Sequence, residues 1–276
     1  MMDESQKPVG VALGGLIALA AAMGIGRFVY TPILPFMEAG LGLTKADAGL
    51  IASVNFLGYL AGALAAASPA LPGGRRRWFL WGLAASAATT GAMGLVASFE
   101  AFLALRFAGG VASAFVLVCA SALVMDRLAA AGRPGLSALH FGGVGVGIAV
   151  SAVLVAGLDA IGGDWRQQWL WSGAVSLAAL AGAAALIPGE TEPSHAGARQ
   201  GKAGRRLVAL IVAYGLFGFG YVITATFIST MVRATPALQP IEAVVWLAVG
   251  LAGAPSVALW TWAGRQLGNH RSFALA

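Results

Sequence analysis

Eight apolar stretches, each long enough to cross a bilayer, occupy almost the whole of this chain, and the polar gaps between them are short. A spanning helix needs about 20 mostly apolar residues, and it must be a helix because lipid offers no partner for a free backbone N–H or C=O. Hydropathy places the segments at about 9–37, 46–70, 77–98, 100–125, 135–158, 165–187, 206–232 and 241–264. The expected fold class is therefore all-α, a polytopic membrane protein. Charged residues make up 10% of the 276, against about 25% in soluble domains, so an aqueous core is excluded. The first run, Val9 to Met37, follows an acidic leader and exceeds the roughly 7–15 apolar residues of a secretory signal, so it is expected to be a retained helix.

The basic residues divide by side. Lys7, Arg75, Arg76, Arg77, Arg127, Arg133, Arg199, Lys202, Arg205, Arg206, Arg265 and Arg271 fall in gaps on one side, and Lys45, Arg166 and Arg233 on the other. The positive-inside rule makes the first side cytoplasmic. Both termini are then expected in the cytoplasm, of a bacterial inner membrane. The formal charge of +6 is explained by this anchoring, and lipid rather than nucleic acid is the expected partner.

Residues 188–206 (PGETEPSHAGARQGKAGRR) form the one long polar gap and read as a cytoplasmic linker. It separates a six-helix bundle, 1–187, from two further helices, 207–276. The parts on its two sides resemble each other. GIGRFVYTPILPFM from Gly24 matches GFGYVITATFISTM from Gly218, with Gly24, Gly26 and Met37 paired to Gly218, Gly220 and Met231 at one constant offset (218 − 24, 220 − 26, 231 − 37). The same offset pairs Gly74 with Gly268 and Arg77 with Arg271. A repeat of two six-helix units is one of the duplications from which transporter folds are built.

Four segments carry a more specific likeness: GRFVYTPILPFM (Gly26 to Met37), NFLGYLAGAL (Asn55 to Leu64), LRFAGGVASAFV (Leu105 to Val116) and HFGGVGVGIAVS (His140 to Ser151). Together they resemble the YbfB/YjiJ-like branch of the major facilitator superfamily. LRFAGG is similar to that superfamily's fourth-helix motif and HFGGVGVGIAVS to its glycine-rich fifth-helix motif. The loop GALAAASPALPGGRRR departs from the pattern, keeping Gly62 and the basic cluster but lacking the acid expected near Ser68. The resemblance implies twelve helices, so the chain is expected to hold an MFS-type six-helix N-terminal bundle plus two helices of an incomplete second bundle. It also implies transport of a small-molecule substrate by alternating access.

Arg27 is the sharpest chemical signal. It stands ten residues before Met37, about 15 Å along a helix and so near mid-membrane. Translocon scales charge about 2.5 to 3.5 kcal/mol for arginine there, and a residue that costly faces a partner or a wet cavity. The functional reading is an anion site, since its planar fork suits a carboxylate. The structural one is a pairing with a carboxylate or with carbonyls freed by Pro32 and Pro35. Arg106, six residues beyond Glu100, either pairs with Glu100 at the surface or, by the resemblance, carries charge into the cavity. Tyr30 shares a helical face with Arg27, and Asn55 shares one with Tyr59. Tyr221 occupies the repeat position of Arg27, and Thr224 lies one turn on. All are expected to line one substrate cavity, or else to make ordinary interhelical hydrogen bonds.

His140 is the candidate carrier for a coupling proton, with a reference pKa near 6.5, although a lone histidine at a helix end is more often structural. Gly143, Gly147 and Ser151, and likewise Gly58 and Gly62, are spaced four apart as smooth packing stripes. They suit rocking helices and a static bundle alike. The run GGVGVG is no dinucleotide fingerprint, Cys119 is alone, and His140, His195 and His270 are scattered, so no cofactor, metal or enzyme chemistry is expected. Arg27 favours an organic anion as substrate. An exporter of amphipathic compounds and a non-transporting fragment or scaffold are the alternatives.

Overall fold

A computed structural model describes residues 8–68, 71–189 and 205–275. The described residues are almost entirely helical: α1 (Pro8–Leu19), α2 (Tyr30–Leu41), α3 (Lys45–Ala66), α4 (Arg75–Ala92), α5 (Phe99–Ala130), α6 (Ser137–Ala160), α7 (Trp165–Leu186), α8 (Arg205–Ala234), α9 (Glu242–Leu267) and α10 (Asn269–Leu275). Most of the linker, including Arg199 and Lys202, lies outside the described residues, as do Lys7 and His195.

Local chemistry sets the helix ends. Gly42 closes α2 at φ +67°, a conformation that suits a residue without Cβ. Thr44 and Asp47 then open α3 as a reciprocal capping box, and Asp164 with Gln167 opens α7 the same way. Ser98 caps α5 by accepting from the Ala101 N–H at 3.2 Å. At 32 residues α5 is about 48 Å long, more than a hydrocarbon core is thick, so it extends beyond lipid or tilts.

Seven helical stretches are long and apolar enough to span a membrane, by length and composition. The third expected span, 77–98, is the exception. Its helix, α4, has 18 residues and opens on Arg75, Arg76 and Arg77, which leaves too short an apolar run. It is nonetheless held inside the bundle, with Phe79 and Leu83 fully buried beside Val11, Val116 and Ala183. The arginines stay at its end, where Arg76 donates to the Ala184 and Ile187 carbonyls at the close of α7 and Arg75 pairs with Asp126 at 3.1 Å.

The first expected span also differs from the single helix that hydropathy gives. Pro8–Leu41 is apolar throughout, yet residues Ala20–Ile25 wind as a π-helix and 26–29 form a turn before α2 begins. The Gly26 and Phe28 N–H groups reach back five residues, to Ala21 and Met23. Pro32 has no N–H to offer the Phe28 carbonyl, which accepts from Thr31 instead at 3.2 Å.

Backbones meet where glycine removes the side chain. A Cβ on Gly58 or Gly62 of α3 would strike the Phe107 or Val111 carbonyl of α5, and one on Gly143 or Gly147 of α6 would strike Leu16 or Ala20. Gly145 and Gly250 bring α6 and α9 together in the same way, against Ala254 and Ala149. With lipid tails as apolar as leucine, such close approach is what drives helix association.

Candidate functional site

The break in the first span creates the site. Its turn leaves the Gly26 and Arg27 carbonyls free, and Arg106 of α5 takes both, Nη1 to Gly26 at 3.2 Å and Nη2 to Arg27 at 3.1 Å. Arg106 is 4% exposed and lies over the Tyr30 ring at 5.0 Å. The fork therefore satisfies a helix break from a second helix. Its acceptors are carbonyl oxygens, neither Glu100 nor an open cavity. Asn55 locks the arrangement by donating from Nδ2 to the Arg106 carbonyl at 2.8 Å, and the Tyr30 hydroxyl donates to Ala48 at 3.0 Å.

Arg27 itself is used differently. It is 8% exposed, and its guanidinium lies over the rings of Tyr59 at 4.0 Å and Phe56 at 4.3 Å. The Tyr59 hydroxyl accepts a hydrogen bond from it, and Tyr221 of α8 is within electrostatic reach. Among the described residues no carboxylate pairs with it, and its buried Nε–H has no acceptor. A small cavity of about 10 Å³ lies here, lined by Arg27, Tyr30, Asn55, Phe56, Arg106 and Thr226 among others. That is room for about one water, so nothing larger fits without movement.

The cavity lies between α8 and the earlier helices. Thr31 donates from Oγ1 to the Ala225 carbonyl at 2.8 Å, a pair 194 positions apart. Arg27 and Tyr221 have the same separation (221 − 27) and lie within electrostatic range of each other. Two pairs at the 194-residue offset, one turn apart, thus fall near each other. Thr224 is exposed on α8, and Thr226 lines the cavity in its place. Sequence reasoning missed Phe56 and Thr31. Spacing could have found the first, since Phe56 and Tyr59 are three apart on α3; the second was legible only as the partner of Ala225 in the repeat.

His140 is fully buried between α1, α5 and α6, away from this cavity. Its Nε2 meets the Ser121 hydroxyl at 2.9 Å, and the ring packs on Gly15, where no Cβ would fit. Ser151 is more than a packing position, for its Oγ accepts from Trp246 of α9 at 3.3 Å.

Farther along α8, Arg233 lies over the Phe36 ring at 3.9 Å, pairs with Glu242 at 2.8 Å and reaches Asp159 at 3.8 Å. These residues border a second cavity of about 220 Å³, with Pro32 and Trp246. In the other direction α8 stands clear, every residue from Val208 to Phe217 being exposed. The helix is joined to its neighbours at one end and open at the other.

A family profile described as "Uncharacterised MFS-type transporter YbfB" matches residues 19–276. The chain belongs to this family of major facilitator transporters. YceJ of Bacillus subtilis (strain 168), described as an uncharacterized MFS-type transporter, is 29% identical over 225 residues, which are 77% of this chain. The chain spans 56% of the length of that relative. A crystal structure of a mutant of the nucleoside transporter NupG superposes with a TM-score of 0.65 at 16% identity, over 94% of this chain and 69% of its own. At that identity the likeness speaks for the fold, and it agrees with the family that the profile gives. For a YbfB-type chain, α1 with α2 is the first transmembrane helix, and Arg27 sits at its break.

Proposed function

We propose that this protein carries a small organic anion across the bacterial inner membrane by alternating access, with Arg27 binding the anion's charge. The observation that carries the reading is a buried guanidinium with no carboxylate partner among the described residues and one N–H unsatisfied, beside a cavity between α8 and the earlier helices. An arginine that costs about 2.5 to 3.5 kcal/mol at mid-membrane and is left without a counter-ion marks a substrate path. Arg106 shares the unsatisfied Nε–H, but its two Nη groups are held by the Gly26 and Arg27 carbonyls, which leaves Arg27 the better placed of the two.

With the positive-inside assignment, the exposed end of α8 lies on the cytoplasmic side and the Arg233 end on the outer side. The repeat-related contacts support an axis along the membrane normal between two halves, and the backbone-to-backbone crossings of α6 with α1 and α9 suit a rocking motion. Uptake of radiolabelled acetate and benzoate by cells expressing the protein tests the role of Arg27. Arg27→Ala is expected to abolish uptake and Arg27→Lys to weaken it, since a point charge replaces a fork. Unchanged rate and affinity in both variants would refute the assignment.

A further inference from the structure

The cavity of about 220 Å³ between α2, α6, α8 and α9 shares no lining residue with the one at Arg27. We propose that it binds a small primary amine in its ammonium form, with the Asp159 carboxylate taking the charge and the Ser229 hydroxyl accepting one N–H. Among the described residues, the charged side chains that line it are Asp159, Arg233 and Glu242, a balance of −1 (1 − 2). The one cation is drawn to one of the acids. Arg233 donates from Nε to Glu242 at 2.8 Å, while its Nη2 stands 3.8 Å from Asp159, beyond hydrogen-bond distance. Among the described residues no hydrogen bond reaches the Asp159 carboxylate.

The helix ends set the two acids further apart. Glu242 opens α9, where the helix dipole favours an anion. Asp159 stands in the last turn of α6, where the dipole favours a cation and no basic residue supplies one. Ser229 is the independent sign of a ligand. It lines the cavity one turn before Arg233, is 2% exposed, and its Oγ has no hydrogen-bond partner. Ser53 and Ser172 return their hydroxyls to the carbonyl four residues back, and Ser229 does not. A buried hydroxyl left in that state costs free energy that a bound donor would recover. An ammonium carries three donors, one for each of these partners and one for water. The remaining walls, with Phe36, Val155 and Trp246, are apolar and suit a hydrocarbon body, and Trp246 is fixed by its bond to Ser151. The volume is below the roughly 300–1,000 Å³ of sites for drug-sized ligands, so that body is short. A calcium ion fits less well, since it takes about six to eight oxygens and one of the two carboxylates here is already bonded to Arg233.

The test is calorimetric titration of the purified chain in non-ionic detergent, corrected against protein-free micelles, with butylammonium, tetramethylammonium and calcium chlorides and with butanol. Butylammonium is expected to bind at least about tenfold more tightly than each of the others. Asp159→Asn, a change at a half-exposed carboxylate with no hydrogen bond to lose, should weaken butylammonium at least about tenfold. Asp159→Glu, which keeps the charge should the asparagine variant fail to fold, should retain weakened binding. Ser229→Ala should cost about fivefold in butylammonium affinity, and the ligand-free variant should unfold no earlier than the parent because an unsatisfied hydroxyl has been removed. Butanol binding as tightly as butylammonium would overturn the charge assignment, and calcium doing so would make this a metal-ion site instead. Tetramethylammonium binding as tightly, or Ser229→Ala binding as the parent does, would overturn the hydrogen bond to Ser229. Butylammonium binding that survives Asp159→Asn, or no butylammonium binding by the parent, would overturn the site itself.

Discussion

GIGRFVYTPILPFM and GFGYVITATFISTM stand 194 positions apart and share both glycines, yet the first unwinds and the second continues through α8 as regular helix. Glycine is therefore not what breaks the chain. One difference is Pro32, which adjoins the break and whose place in α8 is held by Thr226; Pro35, matched by Ser229, lies within α2 without breaking it. A threonine keeps its N–H and its helical hydrogen bond, whereas a proline forfeits both. The broken copy then needs a donor from elsewhere, and Arg106 supplies two. It is also the copy that carries Arg27, so the same interruption that demands one arginine presents the other to the cavity. The unbroken copy puts Tyr221 at that position and contributes a ring instead of a charge.

Three variants act on this contrast. Arg106→Ala removes two charge-assisted bonds and strands the Gly26 and Arg27 carbonyls, with an expected loss of about 3 kcal/mol, read as a shift in a denaturing-detergent unfolding titration. Arg106→Lys should recover no more than about half, because an ammonium cannot reach both oxygens in a fork's geometry. If the alanine variant were as stable as the parent, the broken helix would not depend on α5. Thr226→Pro carries the break into α8 and is expected to cost somewhat less than about 3 kcal/mol, the usual figure for a helix-interior proline, since neighbouring helices re-satisfy freed groups in membranes. Spin labels at either end of α8 should report a shortened distance. A straight α8 in that variant would show that proline alone does not explain the first copy. The smallest effect is Thr31→Val, which removes the hydrogen bond to Ala225 between the repeat-related helices. About 0.6 kcal/mol is expected on the same unfolding titration, and a loss several times larger would mean that this contact holds α8 against α2.

Helix positions were legible along the chain because crossing lipid is a local requirement that each segment meets with its own residues. Hydropathy failed where the requirement is not local. In α4 three arginines shorten the apolar run, and burial of Phe79 and Leu83 against other helices holds the segment in the bundle anyway. In the first span, hydropathy does not register hydrogen bonds, so a π-helix and a turn look as apolar as a helix. The glycine stripes at Gly58, Gly62, Gly143 and Gly147 were readable as spacing, but their partners, backbone carbonyls of α5 and of the first span, were not. Arg27 was conspicuous from its depth alone. What separates it from Arg106 was hidden, because the acceptors of Arg106 lie 79 and 80 residues away and exist only once the first span has broken.

The chain alone determined that its segments suit lipid, which of them are apolar enough to cross and which cation is costly, since hydropathy and spacing are properties of residues in order. Tertiary structure alone decided which arginine bonds the Gly26 and Arg27 carbonyls and which lies against Phe56 and Tyr59, and that Thr31 meets Ala225. Those outcomes depend on which carbonyls are left unbonded and which rings face each other when separate helices pack, and no single segment contains that information.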